Sequence, residues 1–104
     1  MTFARVAASA DIAERTTLGI TLGPYEIVLV RSQGILYALA NRCTHAGSRL
    51  DGGIVSSEWI GCPLHGARFR LVDGQCISSR MNCNPIMTFA LRETEGIVEI
   101  DFPD

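Results

Sequence analysis

Residues 43–45 read Cys-Thr-His, and residues 62–65 read Cys-Pro-Leu-His. Each motif pairs a thiolate with an imidazole, and a sixteen-residue gap separates the two motifs. If the two motifs face each other, two soft sulfur donors and two nitrogen donors form one four-ligand metal site. The unequal spacings, one residue between cysteine and histidine in the first motif and two in the second, narrow the choice of metal. The candidate ligands are Cys43, His45, Cys62 and His65.

This ligand set is the one expected for a [2Fe–2S] cluster in which two histidines replace two cysteines on one iron. With neutral imidazoles the oxidised centre is formally neutral, against about −2 for four thiolates, so it accepts an electron more readily. The added electron is expected on the histidine-bound iron. A structural zinc site with two cysteines and two histidines is an alternative, although zinc modules usually group like ligands in pairs.

Length and composition predict one globular domain spanning residues 1–104. The chain has 104 residues, 47% of them hydrophobic, which suffices for a single core. The formal net charge is −2 and all nine basic residues are arginines with no basic run, so we do not expect a nucleic-acid partner. The longest apolar stretches, 27–30 and 35–40, are far shorter than the roughly 20 residues that span a bilayer. No apolar segment typical of a signal peptide precedes the small residues at 7–10, and we therefore expect a cytoplasmic protein without membrane contact.

Two further cysteines, Cys76 and Cys83, lie outside both motifs. Because the cytosol is reducing, we expect them to be free, partly buried thiols. A pair of extra ligands or a regulatory disulfide are the alternatives.

Turn signals recur every eight to twelve residues without helical periodicity, a pattern that predicts an all-β domain. The Asp-Gly pair at 73–74 is the strongest hairpin signal, and Gly34 suits a positive-φ turn. A single helical turn capped by Ser9 is expected after the first strand. Gly47 and Gly66, beside the motifs, are expected to let the backbone approach the cluster sulfurs and donate hydrogen bonds to them. Strands are predicted at 2–7, 17–22, 26–31, 35–41, 54–55, 59–60, 68–72, 75–77, 86–91 and 97–101.

The two motifs, with the continuation of the second through Gly-Ala-Arg-Phe at 66–69, resemble those of the Rieske ferredoxins of bacterial aromatic-ring-hydroxylating dioxygenase systems. The resemblance covers most of the chain and includes residues 36–39, 73–74 and 84–86. It implies a Rieske fold, in which an antiparallel β base sandwich carries an inserted cluster-binding subdomain at about 42–67. It also implies that the cysteines hold the inner iron and the histidines the outer iron.

The same resemblance implies a soluble one-electron carrier between an NAD(P)H-dependent flavin ferredoxin reductase and a terminal aromatic-ring-hydroxylating dioxygenase, and we expect a monomer. Both histidines of the chain belong to the motifs, so none is left for the mononuclear iron of an oxygenase. There is no nucleotide-binding glycine loop either. We therefore expect an electron-transfer component and not an enzyme. The small Rieske-type subunit of an assimilatory nitrite reductase is the second alternative.

The chain departs from the Rieske proteins of respiratory complexes at two positions. Those proteins resemble it in the ligand loops but carry one more cysteine in each, joined as a disulfide. Ser48 and Leu64 occupy the corresponding positions here. The departure implies a reduction potential near the lower end of the roughly −150 to +300 mV Rieske range.

Overall fold

The structure is a computed structural model that describes residues 3–44, 47–64, 66–78 and 83–101. A single 3₁₀ turn, Ser9–Asp11, accompanies nine strands in these residues, and every strand pairing is antiparallel. The predicted all-β class is therefore confirmed. The described ranges contain no helix long and apolar enough to cross a membrane. The strands are β1 Phe3–Ala8, β2 Thr17–Leu22, β3 Tyr25–Ser32, β4 Ile35–Ala40, β5 Ile54–Val55, β6 Trp59–Gly61, β7 Arg68–Arg70, β8 Thr88–Thr94 and β9 Ile97–Asp101.

Six strands form the base of the molecule in the order β1-β9-β8-β4-β3-β2. Its two halves, β1-β9-β8 and β4-β3-β2, are joined through only two residue pairs between β4 and β8, Ala38↔Phe89 and Leu39↔Thr88. Apolar residues from β3, β4, β8 and β9 share one buried core. The base thus buries the inner faces of both halves, as the predicted sandwich requires.

Strand β3 is buried on both of its faces. Ile27 and Leu29 pack into the core of the base, while Val28 and Val30 pack into a second core. Successive side chains of a strand point to opposite faces, so this run of four apolar residues connects two cores. The second core also contains both motif cysteines.

A smaller sheet has the strand order β5-β6-β7. It packs on the face of β3 that carries Val28 and Val30, and so contributes to the second core. Strand β6 ends at Gly61, directly before Cys62, and pairs with β7, which begins at Arg68. The second motif is therefore the loop of a β6–β7 hairpin. The first motif lies in the connection from β4 of the base to β5 of the small sheet.

The predicted strands after the second motif are too long. Strand β7 stops at Arg70, and the predicted partner strand at 75–77 is reduced to one bridge, Phe69↔Cys76. The chain turns directly after Arg70, where Gly74 N donates to Arg70 O at 2.7 Å. Residue 86 is not in β8, since its amide donates to the carbonyl of Gly74 at 2.9 Å. This bond ties the Asp-Gly turn to the segment that returns to the base.

Two local predictions near the ends of the base are also wrong. Ser9 does not cap the 3₁₀ turn: Ala8 is the N-cap, without a side-chain hydrogen bond, and Ser9 Oγ donates to Glu93 Oε2 at 2.7 Å. Strand β8 continues to Thr94, and the turn to β9 consists of Glu95 and Gly96, with φ of 52° and 79°. Residues with positive φ at both turn positions match the twist of a hairpin, so the strands extend further than predicted.

Cys76 and Cys83 form a disulfide in the structure, so the expectation of free thiols is wrong. Their Cα atoms lie 5.8 Å apart, within the range that a disulfide spans. Both side chains pack against the second core. The expectation rested on the redox compartment alone, which carries no information on the distance between two cysteines.

Candidate metal centre

The two motif cysteines are buried in the same core. Cys43 is 0% exposed and Cys62 is 4% exposed, and both belong to the second core. Cys62 Sγ lies 3.9 Å from Ser48 Oγ, which follows the first motif, so the two motifs approach each other on the sulfur side. His45 and His65 lie outside the described residues.

The two loops close on themselves with the same hydrogen bonds. In the first ligand loop, residues 43–48, Cys43 N donates to Ser48 O at 2.7 Å and Gly47 N donates to Cys43 O at 2.7 Å. The second ligand loop, residues 62–67, repeats both bonds at the same offsets: Cys62 N donates to the carbonyl of residue 67 at 2.7 Å, and the amide of residue 66 donates to Cys62 O at 3.0 Å. Each loop therefore fixes its cysteine at the buried base.

Gly47 and Gly66 have a different role from the one expected. Their φ values are 75° and 74°, a conformation that residues with a Cβ rarely adopt. Their amides close the loops by donating to the cysteine carbonyls instead of pointing at the cluster sulfurs. The glycines are needed for the direction of the chain at these points.

The outer end of the second ligand loop is exposed. Leu64 is 72% exposed, and Pro63 and Gly66 are exposed as well. Behind the loop, the guanidinium of Arg68 lies 4.3 Å from the ring centroid of Trp59 and so covers that side of the small sheet. The second ligand loop thus has a buried cysteine at one end and an accessible apolar tip at the other.

The first ligand loop is supported by the segment that returns to the base. Thr44 Oγ1 donates to Asn84 O at 2.5 Å. An open groove of about 370 Å³ runs between this loop and residues 84–87, with Arg42 also in its lining. Thr44 and Asn84 are forty residues apart in the sequence, and a contact over this distance has no local sequence signal. The motif pattern therefore does not reveal that Thr44 holds the first ligand loop against residues 84–87.

Asn41 was also missed by the motif analysis, although it lies two residues before Cys43. Its side chain is 1% exposed and contacts residues 50 and 51, on the far side of the first ligand loop. Its amide donates to Asp51, and this bond, followed by one from Arg49, lowers the pKa of the Asp51 carboxyl below its ordinary value. A buried asparagine cannot be distinguished from an exposed one by sequence pattern.

The donor chemistry fits the sulfur side of a [2Fe–2S] cluster. Thiolates are soft ligands suited to iron–sulfur clusters, and a thiolate buried as deeply as Cys43 requires a metal or another partner for its charge. The described residues contain no group of three or more potential metal ligands, and both motif histidines lie outside them. The described part of the site therefore supplies two sulfurs in one buried core.

The family comparison identifies what such a site holds. Residues 2–90 match the family described as the Rieske [2Fe-2S] domain. The chain belongs to the Rieske [2Fe–2S] family. It is 34% identical to the ferredoxin component of the naphthalene 1,2-dioxygenase system of Pseudomonas putida. The match extends over 94 residues, which are 90% of this chain and 89% of that protein. Its cofactor is accordingly one Rieske-type [2Fe–2S] cluster, and it is an electron-transfer component instead of a catalytic enzyme.

Solved structures agree with this assignment. The ferredoxin of carbazole 1,9a-dioxygenase from Nocardioides aromaticivorans IC177 superposes with a TM-score of 0.87 at 25% identity, covering 96% of this chain and 97% of that chain. A ferredoxin in a complex of reduced oxygenase and oxidized ferredoxin of carbazole 1,9a-dioxygenase gives a TM-score of 0.84 at 28% identity, covering 94% and 91%. The Rieske fold is confirmed. The family match favours the iron–sulfur cluster over the zinc module, and the 34% identical ferredoxin component favours the electron carrier over the nitrite reductase subunit.

Proposed function

We propose that this Rieske ferredoxin carries single electrons from an NAD(P)H-dependent flavin ferredoxin reductase to a terminal aromatic-ring-hydroxylating dioxygenase. When bound, the cluster accepts one electron and releases it to the next protein. The observation that carries the proposal is the burial of Cys43 and Cys62 in one core, each at the base of a loop with the same closing hydrogen bonds. Relatives named as ferredoxin components, and a ferredoxin solved in complex with its oxygenase, support the choice of partner.

We assign the inner iron to Cys43 and Cys62 and the outer iron to His45 and His65. The cysteines are buried, whereas Leu64, which directly precedes the second histidine in sequence, is exposed. This difference supports a centre whose sulfur side faces the core and whose nitrogen side faces a partner. We propose that residues 1–104 form one domain, with the cluster-binding subdomain at about 42–67.

The docking surface in this proposal is the tip of the second ligand loop. Leu64 and Pro63 offer an exposed apolar contact. A shuttle must leave each partner quickly, so the interface is small, below about 1,200 Å². The protein acts as a monomer in the cytoplasm.

The ligand loops support a potential near the lower end of the Rieske range. Ser48 and Leu64 occupy the positions of the respiratory disulfide, and the disulfide between Cys76 and Cys83 lies outside both ligand loops. It therefore does not replace the respiratory one. The lack of that disulfide is the feature that supports the lower reduction potential of the soluble group.

The test replaces Leu64 and measures electron transfer with purified reductase and oxygenase. Leu64→Asp places a charge at the proposed contact and is expected to slow reduction by the reductase and turnover by the oxygenase, with the cluster spectrum unchanged. Val72→Asp is the matched control, because Val72 is 69% exposed and apolar but lies in the turn after β7. Equal rates for both variants would contradict docking at the loop tip, and absence of transfer to any aromatic-ring-hydroxylating dioxygenase would contradict the function.

A further inference from the structure

We infer that Asn41 is a positioning residue for the first ligand loop, joining the chain that enters the loop to the chain that leaves it. The inference rests on the proposed role of Cys43 as a ligand. Asn41 acts on the ligands through the backbone on either side of the loop.

The side chain of Asn41 makes three hydrogen bonds, all to residues beyond the loop. Its Oδ1 accepts from Leu50 N at 2.7 Å and from Asp51 N at 2.9 Å. Its Nδ2 donates to Asp51 Oδ1 at 2.8 Å. An amide is needed, because only it offers an acceptor for two N–H groups together with a donor for a carboxylate.

The base anchors both sides of this contact. Asn41 N donates to Glu26 O on β3 at 2.9 Å. On the other side, Arg49 Nε donates to Asp51 Oδ1 at 2.9 Å, and Arg49 Nη1 lies 3.4 Å from Glu26 Oε1. The amide of Gly52 donates to Thr17 Oγ1 at 2.7 Å. Asn41 therefore connects the first ligand loop to β2 and β3.

Strand β2 leaves room for this cluster at Gly19. A Cβ placed there would lie 3.1 Å from Arg49 Nη2, 3.2 Å from Asn41 Nδ2 and 3.2 Å from Asp51 Cγ. These distances are tighter than most real Cβ contacts. The side chains of Asn41, Arg49 and Asp51 therefore pack directly against β2 at Gly19.

Asn41 affects the metal centre through Leu50. Leu50 is 0% exposed and packs in the same core as Cys43. Its amide has Asn41 as acceptor, and a buried N–H left without an acceptor is costly. Asn41 therefore fixes Leu50 against the core, and Leu50 in turn helps to fix the position of the Cys43 sulfur.

The experiment exchanges the amide and the carboxylate. Asn41→Asp removes the donor and sets two carboxylates against each other. The double variant Asn41→Asp, Asp51→Asn restores one carboxylate and one amide in swapped places, which retains the acceptor for the two backbone amides and a hydrogen bond between residues 41 and 51. It loses the bond from Arg49 Nε, because Asp51 Oδ1 accepts both bonds in the parent. Ser32→Ala is the matched control, because Ser32 is also 1% exposed and bonds backbone, Ser56 O at 3.1 Å and Ser57 O at 3.0 Å, away from either ligand loop.

The readouts are the g-values of the reduced cluster, its midpoint potential and the rate at which a chelator removes it from holoprotein. We expect Asn41→Asp to lose its cluster about tenfold faster than the parent and to shift g-values and potential, since it replaces a partly buried, charge-assisted hydrogen bond by repulsion between two carboxylates. The double variant should lose its cluster more slowly than Asn41→Asp but faster than the parent, because it regains the bond between residues 41 and 51 without the one from Arg49. Ser32→Ala should lower the unfolding temperature without moving the g-values.

Parent-like spectra and rates for Asn41→Asp would overturn the inference, and so would an equal spectral shift in Ser32→Ala. If Asn41→Asp yields no holoprotein, failure of the double variant to recover it overturns the inference as well. A parent protein that shows no Rieske signal would instead overturn the ligand assignment itself, so the two failures are distinguishable.

Discussion

Gly52 and Gly53 lie next to each other between the first ligand loop and β5, and each is a glycine for a different reason. Gly52 is required by its backbone conformation, and Gly53 by the lack of space for a side chain. Gly52 has a φ of 84°, and among the described residues a Cβ there would meet no atom within 4 Å beyond its two chain neighbours. Gly53 shows no positive φ, but a Cβ there would lie 2.1 Å from Gly61 O and 2.9 Å from Leu50 O. Substitution by alanine therefore tests strain at the first position and space at the second.

We expect Gly53→Ala to be far more damaging than Gly52→Ala. Gly52→Ala places a Cβ in the left-handed region, which costs about 1–2 kcal/mol. In Gly53→Ala the contact of 2.1 Å must open by about 1 Å before it reaches a distance that real Cβ atoms show. Both atoms that obstruct it belong to backbone, so overpacking should cost at least about 3 kcal/mol.

The damage from Gly53→Ala should reach the metal centre. The obstructing carbonyl belongs to Gly61, which pairs with Ile54 and directly precedes Cys62. Displacement of Gly61 therefore moves the base of the second ligand loop. Chemical unfolding of both variants, with iron and acid-labile sulfide per chain, checks this. A Gly53→Ala protein as stable as Gly52→Ala, with full cluster content, would refute the reasoning.

Two further changes replace residues outside the ligand loops themselves. Replacing Cys76 and Cys83 together by serine removes a cross-link with a sequence separation of 7, which should lower the free energy of unfolding by about 2.5 kcal/mol in a denaturant titration; an unchanged midpoint would contradict this. Asp51 has a lowered pKa in the folded protein, so its contribution to stability is complete above its ordinary pKa of 3.8 and is lost as the pH falls through the lowered value. Unfolding free energies measured across this acid range should therefore fall more steeply for the parent than for Asp51→Asn, and parallel curves would count against the Asn41 and Arg49 contacts.

The sequence predicted the parts of this molecule that rest on local signals. The apolar runs at 27–30 and 35–40 predicted β3 and β4, and the polar turn with Gly34 predicted their connection, because strand burial and turn geometry are encoded within a few residues. The position and spacing of the cysteine–histidine motifs predicted the cofactor, which the family comparison confirmed.

Features that depend on contacts between distant segments were not predictable in this way. Residue 86 does not join β8 because its amide donates to the carbonyl of Gly74, and Cys76 and Cys83 meet because residues on both sides pack against one core. The role of Asn41 depends on where residues 50 and 51 return. None of these contacts has a signature in spacing or composition, since each is decided by the packing of the whole domain.

The nitrogen ligands of the cluster can be observed directly, because His45 and His65 are the two histidines of the chain. Protein grown with ¹⁵N-histidine, reduced and examined by pulsed EPR, should show hyperfine coupling from two histidine nitrogens to one [2Fe–2S] centre, and His65→Ala should lose that spectrum. An iron–sulfur signal without coupling to labelled histidine, or purified protein that holds zinc and no acid-labile sulfide, would contradict the account.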